Sequence, residues 1–266
     1  MSSRHSLAVL ASLLFTAIPA LSHEFWIEPE EYQVQSGSPL KAQFRNGQNF
    51  KGTALAYFDK RNARLEQVIA GQAVPYAGRM GDIPAIETTA PLDGLLVVVH
   101  QTAPQTLTYK TWEKFKAFAE HKDFPDIRAR HRDRGLPESG FAERYTRYAK
   151  ALIAVGDGAG SDRPASMETE FVALTNPYTD DPENGLHVQL LYRGKPRADA
   201  QIEVFEKAPD DTVTINLQRT DSQGQAIIPI KSGHEYLLDA VVLRPLSDDS
   251  PEVWESLWAA MTFAVP

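Results

Sequence analysis

Apolar and polar residues alternate from position 40 to 45. Leu40, Ala42 and Phe44 interleave with Lys41, Gln43 and Arg45, ahead of an Asn46-Gly47 pair. Period two marks a strand with one buried face, and Asn-Gly is a favoured hairpin turn. Tyr32-Gln33-Val34-Gln35 alternates in the same way before a Ser36-Gly37-Ser38-Pro39 turn, and a further strand is predicted over 53–58, ended by Asp59. Leu95-Leu96-Val97-Val98-Val99-His100 is a continuous apolar run between Asp93-Gly94 and Pro104. That pattern predicts a strand buried on both faces. Short strands at this spacing predict a β-sandwich segment over 23–104.

The period changes between 105 and 166. Trp112, Phe115 and Ala119 recur at helical spacing, with Lys114, Lys116 and Glu120 between them, and predict a helix within 109–124. Asp123-Phe124-Pro125 stops it. Phe141, Tyr145, Tyr148 and Leu152, spaced four, three and four, predict a second helix. Gly156-Asp157-Gly158-Ala159-Gly160-Ser161 reads as a loop or linker. From Met167 the period returns to two. Strands are predicted over 186–192, 202–205, 212–217, 226–230 and 236–243, with an apolar closing strand around Trp254, Leu257, Trp258 and Phe263. Thr220-Asp221-Ser222-Gln223-Gly224 is a turn in which Gly224 supplies a positive φ and Asp221 bonds its own backbone. No repeat of fixed period occurs. The expected fold class is mainly β, with two β-sandwich segments flanking a helical insertion. The segments divide as 1–22, 23–104, 105–166 and 167–266.

The first 22 residues carry the parts of a secretion signal. Arg4 precedes an apolar run from Leu7 to Ile18, and Ala20 and Ser22 occupy the −3 and −1 positions of a cut before His23. The run is too short to span a membrane comfortably, and no later stretch is apolar enough to span. The chain has 27 basic against 35 acidic residues. Cleavage removes Arg4 and no acid, so the mature chain is more acidic still, which argues against a nucleic-acid partner. Cysteine is absent. Disulfides, lipid anchoring through cysteine and thiolate metal ligands are thereby excluded, and any metal must be held by imidazole, carboxylate, amide or amine.

That restriction gives His23 its interest. As residue one of a mature chain it would offer an α-amine and an imidazole to one ion. An α-amine with a pKa of about 7.7–8.0 is readily displaced of its proton at neutral pH. Two such nitrogens favour Ni²⁺ or Cu²⁺, and Glu24 and Glu28 could add carboxylate oxygens. His100, at the end of the buried apolar run, is the candidate second nitrogen, with a hydrogen-bonded core-edge histidine as the alternative. The expected metal set is His23, His100 and Glu24. His187 falls on the polar side of its strand and His234 on a turn tip, while His121 and His131 lack the His-x-x-x-His spacing of a helical pair. The basic run Arg128, Arg130, Arg132, Arg134, Arg144, Arg147 and Lys150 could bind an anion, an acidic partner or a membrane surface. Interleaved Asp126, Asp133, Glu138 and Glu143 favour a solvated, ion-paired face. Tyr145 and Tyr148 read as core, and Trp254 and Trp258 as residues sealing the sandwich rather than stacking on a sugar. No nucleophile elbow, P-loop or dinucleotide fingerprint is present.

The order strand, Gly194-Lys195-Pro196, strand, Thr220-Asp221-x-x-Gly224, strand, Ser232-Gly233, strand resembles the small transthyretin-like or carboxypeptidase-regulatory-like β-sandwich, an immunoglobulin-type Greek-key module. Over the whole mature chain a wider likeness holds. His23-Glu24-Phe25-Trp26-Ile27-Glu28-Pro29, Arg144-Tyr145-Thr146-Arg147-Tyr148-Ala149-Lys150, Thr175-Asn176-Pro177, Tyr192-Arg193-Gly194-Lys195-Pro196 and Trp254-Glu255-Ser256-Leu257-Trp258 occur in the order seen in domain-of-unknown-function family 4198. The chain resembles that family of periplasmic proteins of Gram-negative bacteria, many of them associated with nickel or cobalt uptake. The resemblance implies a non-enzymatic periplasmic protein that binds Ni²⁺ or Co²⁺, with Cu²⁺ possible, and hands it to an inner-membrane metal transporter. Two rival readings stand beside it. One is a metal-free envelope module contacting protein or glycan. The other is a copper oxidase with a histidine brace, the arrangement by which copper-dependent polysaccharide monooxygenases hold their metal.

Overall fold

The computed structural model describes residues 23–247 and 249–266. The predicted signal, 1–22, lies outside the described residues. The described residues open with nine strands, β1 (Glu24–Pro29), β2 (Gln33–Val34), β3 (Pro39–Gln48), β4 (Lys51–Leu55), β5 (Asn62–Ile69), β6 (Gln72–Pro75), β7 (Ile86–Thr89), β8 (Gly94–Thr102) and β9 (Gln105–Tyr109). Two helices follow, α1 (Trp112–His121) and α2 (Ile127–Asp133), then the long strand β10 (Phe141–Val155). The remainder adds β11 (Thr169–Ala173), β12 (Leu186–Tyr192), β13 (Lys195–Pro196), β14 (Gln201–Lys207), β15 (Val213–Arg219), β16 (Gln225–Ile228), β17 (Glu235–Pro245) and β18 (Trp254–Ala264). The fold is mainly β, as the periodicity predicts.

A ten-stranded sheet in the order β15-β14-β17-β18-β10-β8-β5-β6, with β2 and β9 also on β10, runs through the molecule. It takes strands from both predicted β segments, so the two share one sheet. Its neighbours β18 and β10 run parallel, and β10 and β8 antiparallel. Because side chains alternate along a strand, each face of this sheet carries its own residues. Leu95, Val97, Tyr148, Leu152 and Met261 pack against Phe171, Leu190 and Ile228 of a four-stranded sheet built from β11, β12, β13 and β16. Leu96, Val98, Ala149 and Ile153 face the opposite way, onto Phe25, Ile27, Phe44 and Ile86 from the four-stranded sheet of β1, β3, β4 and β7. Farther along that second face, Trp112, Phe115 and Phe118 of α1 cover Trp254, Trp258 and Val241. The second face thus has two covers, a small sheet and a helix pair.

One predicted helix is a strand. Phe141, Tyr145, Tyr148 and Leu152 belong to β10, fifteen residues long and buried along most of its length. A central strand buried on both faces shows no period-two pattern, and its apolar residues can fall at helical spacing by coincidence. The strand is held by pairings distant in sequence, to β9 at Phe141↔Tyr109 and to β18 at Arg147↔Trp258. The turn at Gly224 forms as expected. Its φ is +68°, and a Cβ there would lie 2.8 Å from the Arg197 backbone nitrogen. Asp221 Oδ1 accepts from the backbone N–H of Gln223 at 2.8 Å and of Gln225 at 2.9 Å.

Candidate functional site

The two covers of the second face leave a polar seam between them, and the strands of the central sheet line it. Alternation on β10 directs Glu143, Tyr145 and Arg147 to this face, and Tyr148 to the core behind. Tyr145, expected in the core, therefore lines a cavity. On β14 and β17 the facing residues are Glu203 and Asp239, which are direct cross-strand partners. Like charges in that position repel. Lys122, at the C-terminal end of α1, stands between them, its Nζ 2.7 Å from Glu203, 2.9 Å from Asp239 and 3.2 Å from Glu24. All four side chains are buried. Burial alone would lower the Lys122 pKa, but the three carboxylates outweigh it and hold the ammonium above its ordinary value. Burial drives the Asp239 carboxyl up. His121 Nε2 lies 2.9 Å from the second oxygen of Glu203.

Beside this cluster are two cavities that meet. The larger, of about 420 Å³, is lined by His23, Phe118, Glu143, Tyr145, Arg147 and Trp258 among others. The smaller, of about 240 Å³, is lined by His100, Asn62, Arg61 and Phe25, and it shares Asn46, Tyr145 and Arg147 with the first. The β10–β18 register sets Arg147 beside Trp258, and the guanidinium carbon lies 3.9 Å from the centre of that ring and 5.3 Å from that of Tyr145. Arg147 Nε and Nη1 are buried without a hydrogen-bond partner. Burial pulls the Arg147 pKa below the ordinary arginine value. Glu143 accepts from Tyr109 Oη at 2.6 Å and from Ser256 Oγ, and burial pushes its carboxyl up.

The three expected metal residues have different surroundings. His23 is exposed at the rim of the larger cavity. Glu24 points into the Lys122 cluster, so its carboxylate has an ammonium partner in place of an ion. His100 is buried at 1% exposure, its ring stacked 4.4 Å from that of Phe44 and tilted against that of Phe25 at 5.3 Å. Its Nε2 is 2.7 Å from Asn62 Oδ1, while Nδ1 has no partner. Burial pushes its pKa down to about 3. With Nε2–H donating to Asn62, a neutral imidazole keeps its lone pair on Nδ1. His23 and His100 thus line adjoining cavities, and Glu24 is turned away. Among the described residues no three His, Cys, Asp or Glu side chains form a group able to hold a metal. His131 is structural, its Nδ1 accepting from Trp254 Nε1 at 3.0 Å.

Much of the basic run is an ion-paired surface, as expected. Arg128 and Arg132 reach Glu138, and Arg130 reaches Asp126. Glu143 instead bonds Tyr109 and Ser256 in the interior, and Arg147 and Lys150 are buried rather than on that surface. Lys122, Glu203 and Asp239 escaped the sequence reading. Their signal was a charge inside an apolar stretch, Asp239 in Tyr236-Leu237-Leu238-Asp239-Ala240-Val241 and Glu203 in Ile202-Glu203-Val204-Phe205.

Comparison with known proteins adds family and little else. No curated protein matches the chain. A tetra-tandem repeat from the extending region of a large adhesion protein shares 9% identity at a TM-score of 0.25, covering 91% of this chain and 49% of that one. The chain thus spans about half the length of that structure. The D0-D1 domain of Intimin shares 12% identity at a TM-score of 0.20, covering 90% and 97%. Likenesses this weak carry no argument about fold or function. The model of a domain of unknown function, DUF4198, by contrast, matches residues 20–244. With that share of its length matched, the chain belongs to the DUF4198 family.

Proposed function

We propose that this protein is a periplasmic binding protein for a divalent metal ion, Ni²⁺ or Co²⁺ with Cu²⁺ as a further candidate, and that it passes the ion to an inner-membrane transporter without catalysing a reaction. The observation that supports this reading best is the buried His100 Nδ1, unpartnered and neutral in a cavity adjoining the one rimmed by His23. A histidine whose other ring nitrogen is held by an amide oxygen is oriented as metal-ligating histidines commonly are. His23 stands two residues ahead of Phe25, whose ring lies 5.3 Å from that of His100. Exposed, His23 would add an imidazole and, at a mature terminus, an α-amine. Three nitrogens of this kind suit Ni²⁺ and Cu²⁺ better than harder ions. Glu24 is left out of the proposed ligand set, since its carboxylate neutralises Lys122.

Calorimetric titration of Ni²⁺ and Cu²⁺ into protein whose start at His23 has been verified by mass tests the reading. A one-to-one site of micromolar affinity or better is expected. Adding one residue ahead of His23, or replacing His100 by alanine, should abolish it. Equal and weak binding in all three forms would make both histidines bystanders.

A further inference from the structure

Three lysine or arginine side chains are buried among the described residues, Lys122, Arg147 and Lys150. Lys122 has three carboxylates within ion-pair distance. Lys150 has two, Asp162 at 3.2 Å and Glu170 at 2.8 Å. A buried cation is ordinarily matched in this way, because removing its hydration is costly. Among the described residues no carboxylate lies within ion-pair distance of Arg147, although Asp239, Glu24 and Glu143 act on its charge from farther away. The Arg147 guanidinium carbon lies over the rings of Trp258 and Tyr145. Such cation–π contact attracts the charge but supplies no acceptor for the N–H donors, and Nε and Nη1 remain without one. The nearest acid on its own strand face, Glu143, is already bonded to Tyr109 and Ser256.

We propose that Arg147 anchors a small organic monocarboxylate in the cavity it shares with Trp258, Tyr145, Phe118 and Leu107. Local electrostatics select a monoanion. The guanidinium has no carboxylate within ion-pair distance among the described residues, and the Lys122 cluster, with three carboxylates to one ammonium, opposes a second negative charge. Shape selects a carboxylate, whose two oxygens match the guanidinium fork. The aromatic and aliphatic walls select an apolar body behind that group. Lys110 and Lys114, exposed on the cavity wall, draw anions toward it. The proposal stands apart from the metal reading, since it needs neither His23 nor an ion.

The test uses chelator-treated protein, with benzoate and acetate as probes and inorganic phosphate as the contrast. Saturable one-to-one binding of benzoate is expected, tighter than that of acetate and of phosphate. Arg147→Gln should weaken it about tenfold or more, the scale of losing a charge-assisted hydrogen-bonded pair. Arg147→Lys, which keeps the charge and loses the fork, should fall between. Because Arg147 is buried and a substitution could unfold the chain, the wild-type protein supplies a second readout. The Arg147 Nε–H resonance, assigned by triple-resonance NMR, should move on adding benzoate. Absence of saturable binding, tighter binding of phosphate, unchanged affinity in folded Arg147→Gln, or a stationary Arg147 resonance would each overturn the proposal. No metal is present in these titrations, so their failure leaves the metal reading standing, and the reverse holds too.

Discussion

Buried charge is the main feature at the scale of single residues. Replacing Lys122 by methionine keeps the volume and strands three buried carboxylates without a cation. A loss of about 3–5 kcal/mol in urea unfolding is expected. Lys116→Ala removes an exposed pair with Glu120 at 3.7 Å and should cost less than about 1 kcal/mol. Comparable losses for the two would show that the cluster is not held by charge. Glu168 makes a pH-dependent contribution. Burial pushes its carboxyl up, but hydrogen bonds from Arg244 and Arg193 outweigh that and hold it below the ordinary glutamate value of 4.5. A depressed carboxyl stabilises the fold above its unfolded pKa and ceases to do so as pH falls through its folded pKa. Glu168→Gln should therefore be less stable than wild type at pH 7, and the gap should narrow as pH falls below the ordinary glutamate value and through the lowered folded one. A gap that widened on acidification would reverse the sign. Because Glu168 is about a third exposed, the effect is expected to be modest. At this scale a charge within an apolar run is legible in the chain, as with Asp239 and Glu203. Their partner is not, because Lys122 lies 117 and 81 residues away from them.

Among the elements, β10 shows where periodicity is informative and where it is silent. The half-buried strand β12 has the bounds that alternation predicts, Leu186–Tyr192. The doubly buried β10 carries apolar residues at helical spacing, and nothing in its own residues separates two apolar faces from one helical stripe. What makes it a strand is the hydrogen bonding offered by β18, β8 and β9. The same placement makes it sensitive. Leu152 is fully buried in the core beneath the sheet of β11, β12, β13 and β16, and Leu152→Ala should cost about 2–5 kcal/mol by chemical denaturation. A loss no greater than that of an exposed substitution would contradict its position in the core. Tyr145 and Tyr148 make the point for the site. Three residues apart, they would share the face of a helix, whereas on a strand one lines the cavity and the other the core.

For the whole molecule, the ten-stranded sheet is the organising layer. It crosses the boundary that composition suggests between the N-terminal and C-terminal β segments. The β10–β18 and β17–β18 pairings tie the middle of the chain to its last strand. A single cooperative thermal transition is expected, with calorimetric and van't Hoff enthalpies equal. Two resolved transitions would mean that the segments fold separately. The seam between the small N-terminal sheet and the helix pair exists only because both covers lie on one face of this sheet. His100, Arg147 and the Lys122 cluster acquire their environments there.

The amino-acid sequence alone determined the β class, most of the C-terminal strands, the helix α1 and the turn at Gly224. These depend on local periodicity and on backbone conformations that only certain residues adopt. Family membership was legible in the same way, from short motifs in a fixed order. The tertiary structure alone decided that β10 is a strand, that Glu24 bonds Lys122, that His100 keeps an unpartnered nitrogen and that Arg147 is buried without a carboxylate. Each of these depends on contacts between residues far apart in the chain, whose free energies come from burial and pairing that no single segment contains.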